Sequence, residues 1–408
     1  MKTNARRHPK RRLSALVVIV LLATYSFWTV RQPLPLLIPS QSTASIHTKA
    51  TTSALVWPTA NQASVGIVGS PILESHGTQT PSPMASTTKI ITALAVLKLK
   101  PLDLNQQGPL LTLSGADVDI YNRYVAQDGS VVPVQAGEQI SEYQALQAIM
   151  LPSANNIADS LAIWAYGSLG AYQTAANTYL AELGLKDTHV GSDASGLAPD
   201  STSTAQDLVK LGELAMQNPV LAQIAGQSTA TGIPLTSSVK NVNFLLGTSN
   251  IIGLKTGNSD QAGGVYVSAS KTTVNNKPVT IVTALVGTPD LVSAVQGSLP
   301  LIRSAQANFS SQSIITAQNS VVGTYTQPWG GDVTAIASKD FTMSTWNGTT
   351  LNAKIKLDKI PATTKASQPI GKVTAQHSSL SDESSVPVIL KNSVTEPSVW
   401  WRLTHPLR

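Results

Sequence analysis

Between Arg12 and Arg31 the chain runs for 18 residues, Leu13 to Val30, without a charge. No other feature narrows its possible folds so far, because a helix of that length spans about 27 Å, nearly the hydrocarbon thickness of a bilayer. Lys2, Arg6, Arg7, Lys10, Arg11 and Arg12 precede the run, and Tyr25, Phe27 and Trp28 lie near its far end. Basic residues keep their side of such a helix inward, and aromatic residues favour the opposite interface. Residues 1–12 read as a cytoplasmic basic segment and 13–30 as a transmembrane signal-anchor, which places the rest of the chain outside the cytoplasm. A cleaved signal peptide shares these features. The run is long for one, however, and the nearest small-residue site is Gln41-Ser42-Thr43-Ala44.

The net charge of +6 suggests nucleic acid only until the charges are located. Residues 1–73 hold eight positives and no acid, so the remainder is close to neutral at −2 and offers no basic footprint. The absence of cysteine excludes disulfide scaffolds, thiolate metal sites and a cysteine nucleophile. His8, His47 and His405 fall in tails, while His76, His189 and His377 form no close-spaced pair. A serine–histidine triad and a histidine metal site are therefore both disfavoured. Asp117-Val118-Asp119 lacks clustered partners and reads as solvated side chains. Neither metal nor cofactor is expected.

With 408 residues, two domains plus tails are expected. Residues 31–55, rich in Pro, Ser and Thr, read as an extended linker. Residues 56–308 read as an α/β (α+β) domain, an antiparallel sheet flanked by helices. SVGIVGS and PILES give two strands, and helices are expected over 86–97, 142–151, 156–164, 170–183, 204–217 and 289–307. GGVYVSAS and KPVTIVTALVG alternate around Asn275-Asn276-Lys277 as a hairpin. Residues 310–395 carry only short β-type runs between turn residues, which predicts a small all-β domain. Residues 396–408 form a tail whose Trp400-Trp401-Arg402 suits either a membrane interface or packing on the β domain.

Three short motifs carry chemistry. In Ser86-Thr87-Thr88-Lys89 the two ends share one face at the start of a helix, so the lysine amine can reach the serine hydroxyl. A serine needs such a base to become a nucleophile. Taken alone, the motif reads more simply as a capping serine and a solvated lysine. Ser153-Ala154-Asn155 follows Pro152 in a loop between helices, with a hydroxyl able to relay a proton and an amide able to hold a carbonyl. Lys255-Thr256-Gly257 precedes the hairpin, with a cation and hydroxyl for an anion and a glycine for close backbone approach. Each is ordinary by itself. Their order, their contexts and their separations, 67 residues from Ser86 to Ser153 and 100 from Asn155 to Lys255, make the set specific.

With its surrounding residues, the set resembles the penicillin-recognising serine enzymes, and among them the low-molecular-weight penicillin-binding proteins of the D-alanyl-D-alanine carboxypeptidase family. The likeness rests on Pro83-Met84-Ala85-Ser86-Thr87-Thr88-Lys89, Leu151-Pro152-Ser153-Ala154-Asn155-Asn156 and Gly253-Leu254-Lys255-Thr256-Gly257. Asp193-Ala194-Ser195-Gly196-Leu197 and, in the β region, Gln368-Pro369-Ile370-Gly371 add to it.

The resemblance implies attack by Ser86 on the penultimate D-Ala of peptidoglycan stem peptides ending in D-Ala-D-Ala, with Lys89 as base and an acyl-enzyme as intermediate. Ser153 with Lys255 would protonate the departing D-Ala, Asn155 would hold the substrate amide and Thr256 the terminal carboxylate. Backbone N–H groups of Ser86 and Asn258 would form the oxyanion hole. β-Lactam antibiotics are implied as covalent inhibitors, and the N-terminal helix would bind membrane. Alternatives are a DD-endopeptidase, a class A-like β-lactamase, or an inactive peptidoglycan-binding protein. Asn156 replaces a common aspartate, and Gly287-Thr288-Pro289-Asp290 lacks the arginine of some members. Glu182 partly mimics the spacing of the β-lactamase deacylating glutamate, yet it reads as a solvated helix end with Gly184 as C-cap.

Overall fold

The computed structural model describes residues 9–40, 43–49, 51–234, 236–315, 321–377 and 383–406. Outside them lie the first eight residues of the expected cytoplasmic segment, Gln41 and Ser42 of the weak cleavage site, and the last two residues of the tail. Helix α1 (Pro9–Arg31) contains the uncharged run, and its apolar side chains from Leu13 to Leu22 are exposed. It is long and apolar enough to cross a membrane.

The larger domain is built on a five-stranded antiparallel sheet in the order Ile251–Ser259, Gly263–Val274, Lys277–Thr288, Gln62–Ile67, Leu73–His76. Side chains alternate between its faces, and both faces are covered. Val265, Val267 and Ala269 join the main core of the helices, while Tyr266 packs with Ala294, Val295 and Ile302 on the other side. Asn275 and Asn276 both take positive φ, 51° and 61°, as a two-residue primed hairpin turn requires.

Helix α2 (Thr88–Leu99) runs through the middle of this domain, with every side chain from Thr88 to Leu97 buried. A helix buried all round must meet protein on every face, and four other helices surround α2. After α3 (Gly115–Ala126) in chain order come α4 (Glu142–Met150), α5 (Asn155–Tyr166), α6 (Leu169–Glu182) and α7 (Ala205–Gln217), and α2 contacts the last four. Helix α7 can press against the sheet because Gly212 has no side chain: a Cβ there would lie 2.7 Å from Val282 Cγ1. The short α8 (Pro219–Ala225) is followed, beyond the Ile251–Ser259 strand and the hairpin, by α9 (Leu291–Ala307).

Helices α3 and α8 extend the expected set. Ser114 and Asp117 form a capping box at α3, with the Ser114 N–H donating to Asp117 Oδ2 at 2.7 Å. Asp117 is thus a helix cap, with a role more definite than mere solvation. Asn218 and Pro219 open α8 by the equivalent N-terminal chemistry.

The smaller domain is a six-stranded antiparallel sheet in the order Thr43–Lys49, Thr350–Leu357, Pro369–His377, Glu383–Leu390, Asp332–Ala337, Val321–Thr326. The strand Phe309–Ile315 pairs separately with Phe341–Trp346. Residues 31–55 therefore depart from the expected linker. Thr43–Lys49 is the edge strand of this sheet, and Leu37 is buried and exchanges backbone bonds of 2.8 and 3.0 Å with Ile360. An edge strand needs only one hydrogen-bonded neighbour, so TASIHTK carries β-branched residues without a long apolar pattern.

The two domains are docked. Trp346 is buried against Val65, Ile67, Ile281 and Ala305, and its indole donates to the Glu74 carboxylate. Asn275 clamps Ser344, donating to its carbonyl at 2.9 Å and accepting its N–H at 2.8 Å. Helix α10 (Val399–Thr404) forms the tail, where Trp401 meets Trp329 of the β domain edge to face and Trp400 is 74% exposed. Of the two roles expected of the tail, packing on the β domain is seen for Trp401, while Trp400 is left exposed.

Candidate active site

Ser86 lies in a single 3₁₀ turn, Ala85–Thr87, that runs into α2. The free N–H groups and partial positive charge of a helix start face any negative charge developing there. One turn on, Lys89 is completely buried, and its Nζ has three oxygen partners: Ser86 Oγ at 2.9 Å, Asn155 Oδ1 at 2.7 Å and the Ser195 carbonyl at 2.9 Å. As an ammonium it donates to all three. As a neutral amine it donates to Asn155 and Ser195 and turns its lone pair to the serine hydroxyl, the arrangement needed for proton abstraction.

Asn155 opens α5 with its oxygen committed to Lys89, which leaves its NH₂ to donate elsewhere. Ser153, two residues earlier, is buried in the turn between α4 and α5. Asn156 faces away from Lys89: it accepts the Val132 N–H at 3.1 Å and donates to the Val132 carbonyl at 2.9 Å. An aspartate could make only the first of these bonds. The asparagine therefore clamps the 130–134 loop.

The strand Ile251–Ser259 borders the Ser86 turn. A Cβ on Gly257 would lie 3.1 Å from both Ser86 N and Met84 O. The backbone that this glycine is seen to admit is that of the Ser86 turn. Lys255 is 1% exposed and Thr256 is buried, while Asn258 is exposed at the strand's end. Lys255 Nζ donates to the Thr256 carbonyl at 3.0 Å. The structure joins Ser86, Lys89 and Asn155 by direct bonds and sets Gly257 against them.

Three non-glycine residues with positive φ mark the three motifs: Ala85 at 46°, Ser153 at 66° and Leu254 at 104°. Each such conformation costs on the order of 1–3 kcal/mol and persists only where surrounding contacts enforce it.

Burial pushes the Lys89 amine down to about 7, opposed by the negative charges of Asp193 and Asp159. Lys255 is also driven well below the usual lysine range, by burial first and the neighbouring Lys89 second. Lys255, read from the sequence as a cation for an anion, is thus buried with its charged form disfavoured. Two buried amines disfavour each other's cations, and an arriving carboxylate would favour protonation of the pair.

Sequence reasoning gave no role to the partners of the loop behind Lys89. Asp193 accepts N–H groups of Ser195, Gly196 and Ala198 at 2.8, 2.5 and 2.7 Å. Asp159, fully buried on α5, accepts the Ala194 N–H at 2.9 Å. The local pattern does not single Asp159 out, since α5 also carries Asn155, Asn156 and Ser160. Glu182 lies elsewhere: it is 58% exposed and pairs with Lys98. Lys98 is nine residues past Lys89, about 13 Å along the helix. His76 stacks on Trp57, and His189 pairs its backbone with Thr202, both away from Ser86 and Lys89 in the bonding pattern.

The family model of D-alanyl-D-alanine carboxypeptidase matches residues 51–286. A D-alanyl-D-alanine endopeptidase of Pseudomonas aeruginosa is 32% identical over 52% of this chain and 66% of its own length. The D-alanyl-D-alanine carboxypeptidase DacA of Escherichia coli is 27% identical over 46% of each chain. These matches span about half to two thirds of the relatives' lengths. Penicillin binding protein 5 from Haemophilus influenzae shares the fold over 84% of this chain and 99% of its own, with a TM-score of 0.57 at 21% identity. By the family match, which covers more than half of its length and all three motifs, the chain belongs to the D-alanyl-D-alanine carboxypeptidase family.

Proposed function

We propose that the protein is a serine-type D-Ala-D-Ala carboxypeptidase that trims peptidoglycan stem peptides through an acyl-enzyme on Ser86. The observation that carries this reading is the buried Lys89 amine, 2.9 Å from Ser86 Oγ and pushed down to about 7. A base that titrates near the operating pH can both take and return a proton. Ser86 Oγ attacks the carbonyl carbon of the penultimate D-Ala as Lys89 takes its proton. The oxyanion is held by the Ser86 and Asn258 N–H groups, a kind of contact worth about 2.7–4 kcal/mol per donor. Collapse breaks the peptide bond, with Ser153 and Lys255 passing a proton to the leaving amine. Asn155 donates its free NH₂ to a substrate carbonyl, and Thr256 receives the terminal carboxylate. Water then cleaves the ester, and β-lactams stall at the acyl stage.

Fluorescent penicillin with the full chain in detergent tests this. Mass spectrometry should place the adduct on the Ser86 peptide and lose it in Ser86→Ala. An adduct elsewhere, or none on folded protein, overturns the reading. The likeness to a protein named as an endopeptidase favours a second reading with the same acyl-enzyme, in which the leaving amine belongs to a cross-linked peptide. Release of free D-Ala from a linear stem peptide, compared with cleavage of a cross-linked dimer, separates the two.

Residues 56–308 are assigned acylation, and 310–395 the task of holding that domain from the membrane or of contacting other wall proteins. Helix α1 is assigned as a retained single-pass anchor, with the catalytic domain outside the cytoplasm. Its contacts with the tail support retention: Tyr25 Oη donates to the Leu403 carbonyl at 2.7 Å, and Arg402 donates to the Val30 carbonyl at 2.9 Å. Trp400 and Val399, exposed beside this end of α1, suit a lipid interface. Cleavage at the weak site within Gln41–Ala44 would remove these partners. An N-terminal sequence of the cell-derived protein beginning beyond Arg31 would overturn the anchor.

A further inference from the structure

We infer that Asp159 is a positioning residue for the Ser86–Lys89 pair, acting through the loop Asp193–Ala198. The inference deepens the acyl-enzyme reading and rests on it. Asp159 follows Asn155 by four residues on α5, so both lie on one face of the helix. Asn155 grips Lys89 directly, and Asp159 grips what lies on the other side of the same amine.

Three donors converge on the buried carboxylate. Oδ1 accepts the Ala194 N–H at 2.9 Å, and Oδ2 accepts from Arg123 at 2.7 Å and the Tyr124 hydroxyl at 2.8 Å. A buried carboxylate survives only with such company. The loop it holds presents three consecutive residues to α2. The Ala194 carbonyl accepts from Thr92 Oγ1 at 2.7 Å, and the Ser195 carbonyl accepts from Lys89 Nζ at 2.9 Å. Gly196, at φ 75°, lies so close to the Ser86 turn that a Cβ would be 2.1 Å from the Ala85 carbonyl and 2.3 Å from Thr88 Oγ1. The Tyr124 hydroxyl also accepts from Ser195 Oγ at 3.2 Å, tying the loop to the same cluster. A shift of this loop would move the carbonyl on which Lys89 rests.

The charges around Lys89 come from every side. Asp193 and Asp159 face it from the loop and α5, Arg123 on α3 is paired with Asp159, and Lys255 approaches from the sheet edge. Tyr124 and Tyr172 are buried with their phenols pushed up, and so stay neutral. Neutralising Asp159 removes one of the two negative charges that favour the Lys89 cation. The amine then loses its proton at lower pH.

The test is the pH profile of penicillin acylation by the full chain in detergent. Asp159→Asn keeps an oxygen for the Ala194 N–H but drops the charge, so the acid limb should move to lower pH by about half a unit or more. Asp159→Ala also drops the anchor, and its rate at the optimum should fall at least about tenfold below that of the Asn variant. A purely structural role would lower the melting temperature of both and leave the limb in place. An Asn variant with the wild-type limb, or equal rates for Ala and Asn, overturns the inference. If the Ala variant does not fold, Tyr124→Phe replaces it, removing only the hydroxyl between Asp159 and Ser195. A rate about threefold lower then supports the inference, and an unchanged one overturns it. Wild-type protein that never labels at Ser86 overturns the acyl-enzyme reading itself, and this inference with it.

Discussion

The larger domain buries five acidic or basic side chains, Lys89, Glu142, Asp159, Asp207 and Lys255, whereas none is buried among the described residues of the β domain. The β domain follows the inexpensive rule, as in Thr350–Leu357, where exposed and buried side chains alternate and Leu351, Ala353, Ile355 and Leu357 point inward. Burying an ionisable group is costly unless it is paired. The contrast shows one place where the fold accepts that cost: Lys89 bonds Ser86, Asp159 reaches Lys89 through the Ala194–Ser195 loop, and Lys255 lies near enough for Lys89 to oppose its charge.

The strongest way to break this contrast is to change Lys89. Lys89→Arg keeps a cation but removes a base able to lose its proton, so acylation should fall by about 10²- to 10⁴-fold. Lys255→Arg should retain a measurable part, because it keeps a cation beside the proposed carboxylate site and alters only the proposed proton relay. In the wild type the rate should rise as pH passes through about 7, since the reactive amine is the deprotonated form of a group pushed down to that value. In Lys255→Arg the permanent guanidinium charge would disfavour the Lys89 cation further and move this limb to lower pH. Stopped-flow acylation across pH checks both signs. Near wild-type rates for Lys89→Arg would mean that lysine is not the base.

The domain boundary is the next test. Trp346 fills the contact with Val65, Ile67, Ile281 and Ala305, so Trp346→Ala should cost about 3–5 kcal/mol of stability in denaturant titration. Acylation at 25 °C should change less than twofold, because no motif residue touches the tryptophan. A folded truncation covering residues 51–308 should also acylate. Were that truncation folded but inert, the β domain would have to help build the cleft.

The same contrast explains what the sequence made legible. The motifs were readable because covalent chemistry restricts residue types: a serine one helical turn before a lysine, and a polar loop directly after Pro152. The Asn275-Asn276 hairpin was readable because its turn needs positive φ. The edge strand Thr43–Lys49 was not, because its partner, Thr350–Leu357, lies some 300 residues away and its own side chains bear little pattern. Asp159 was hidden for another reason. A carboxylate in a helical run looks solvated until the fold places Ala194, Arg123 and Tyr124 around it. The downward push on the Lys255 amine likewise follows from burial, which only three-dimensional packing defines.

A smaller effect sharpens the reading of Asn156, buried in the larger domain without a charge. Asn156→Ala would leave the Val132 N–H and carbonyl without partners, costing about 1–3 kcal/mol. Asn156→Asp should restore only the bond from the N–H. Thermal melts of the two variants order them, and a clamp role requires both to lie below the wild type. Equal stability of all three would mean that the loop near Val132 is held by its other bonds, such as the one from the Asn155 N–H to the Ser130 carbonyl at 2.7 Å.

The smallest expected effect belongs to Glu182, a residue of the larger domain that obeys the surface rule of the β domain. Its partner is Lys98, and the two side chains are 58% and 49% exposed. Pairs of this kind contribute about 0–1 kcal/mol, because water solvates both ions well when they separate. Glu182→Gln should therefore shift the melting temperature by no more than about a degree or two in a domain of this size. Its decisive readout is deacylation. A class A-like β-lactamase route needs a glutamate beside the ester to orient water, and Glu182 pairs with a lysine nine residues beyond Lys89 on α2. The lifetime of the penicilloyl adduct should be the same in Glu182→Gln as in the wild type. A marked lengthening would place Glu182 at the ester after all and reopen the β-lactamase reading.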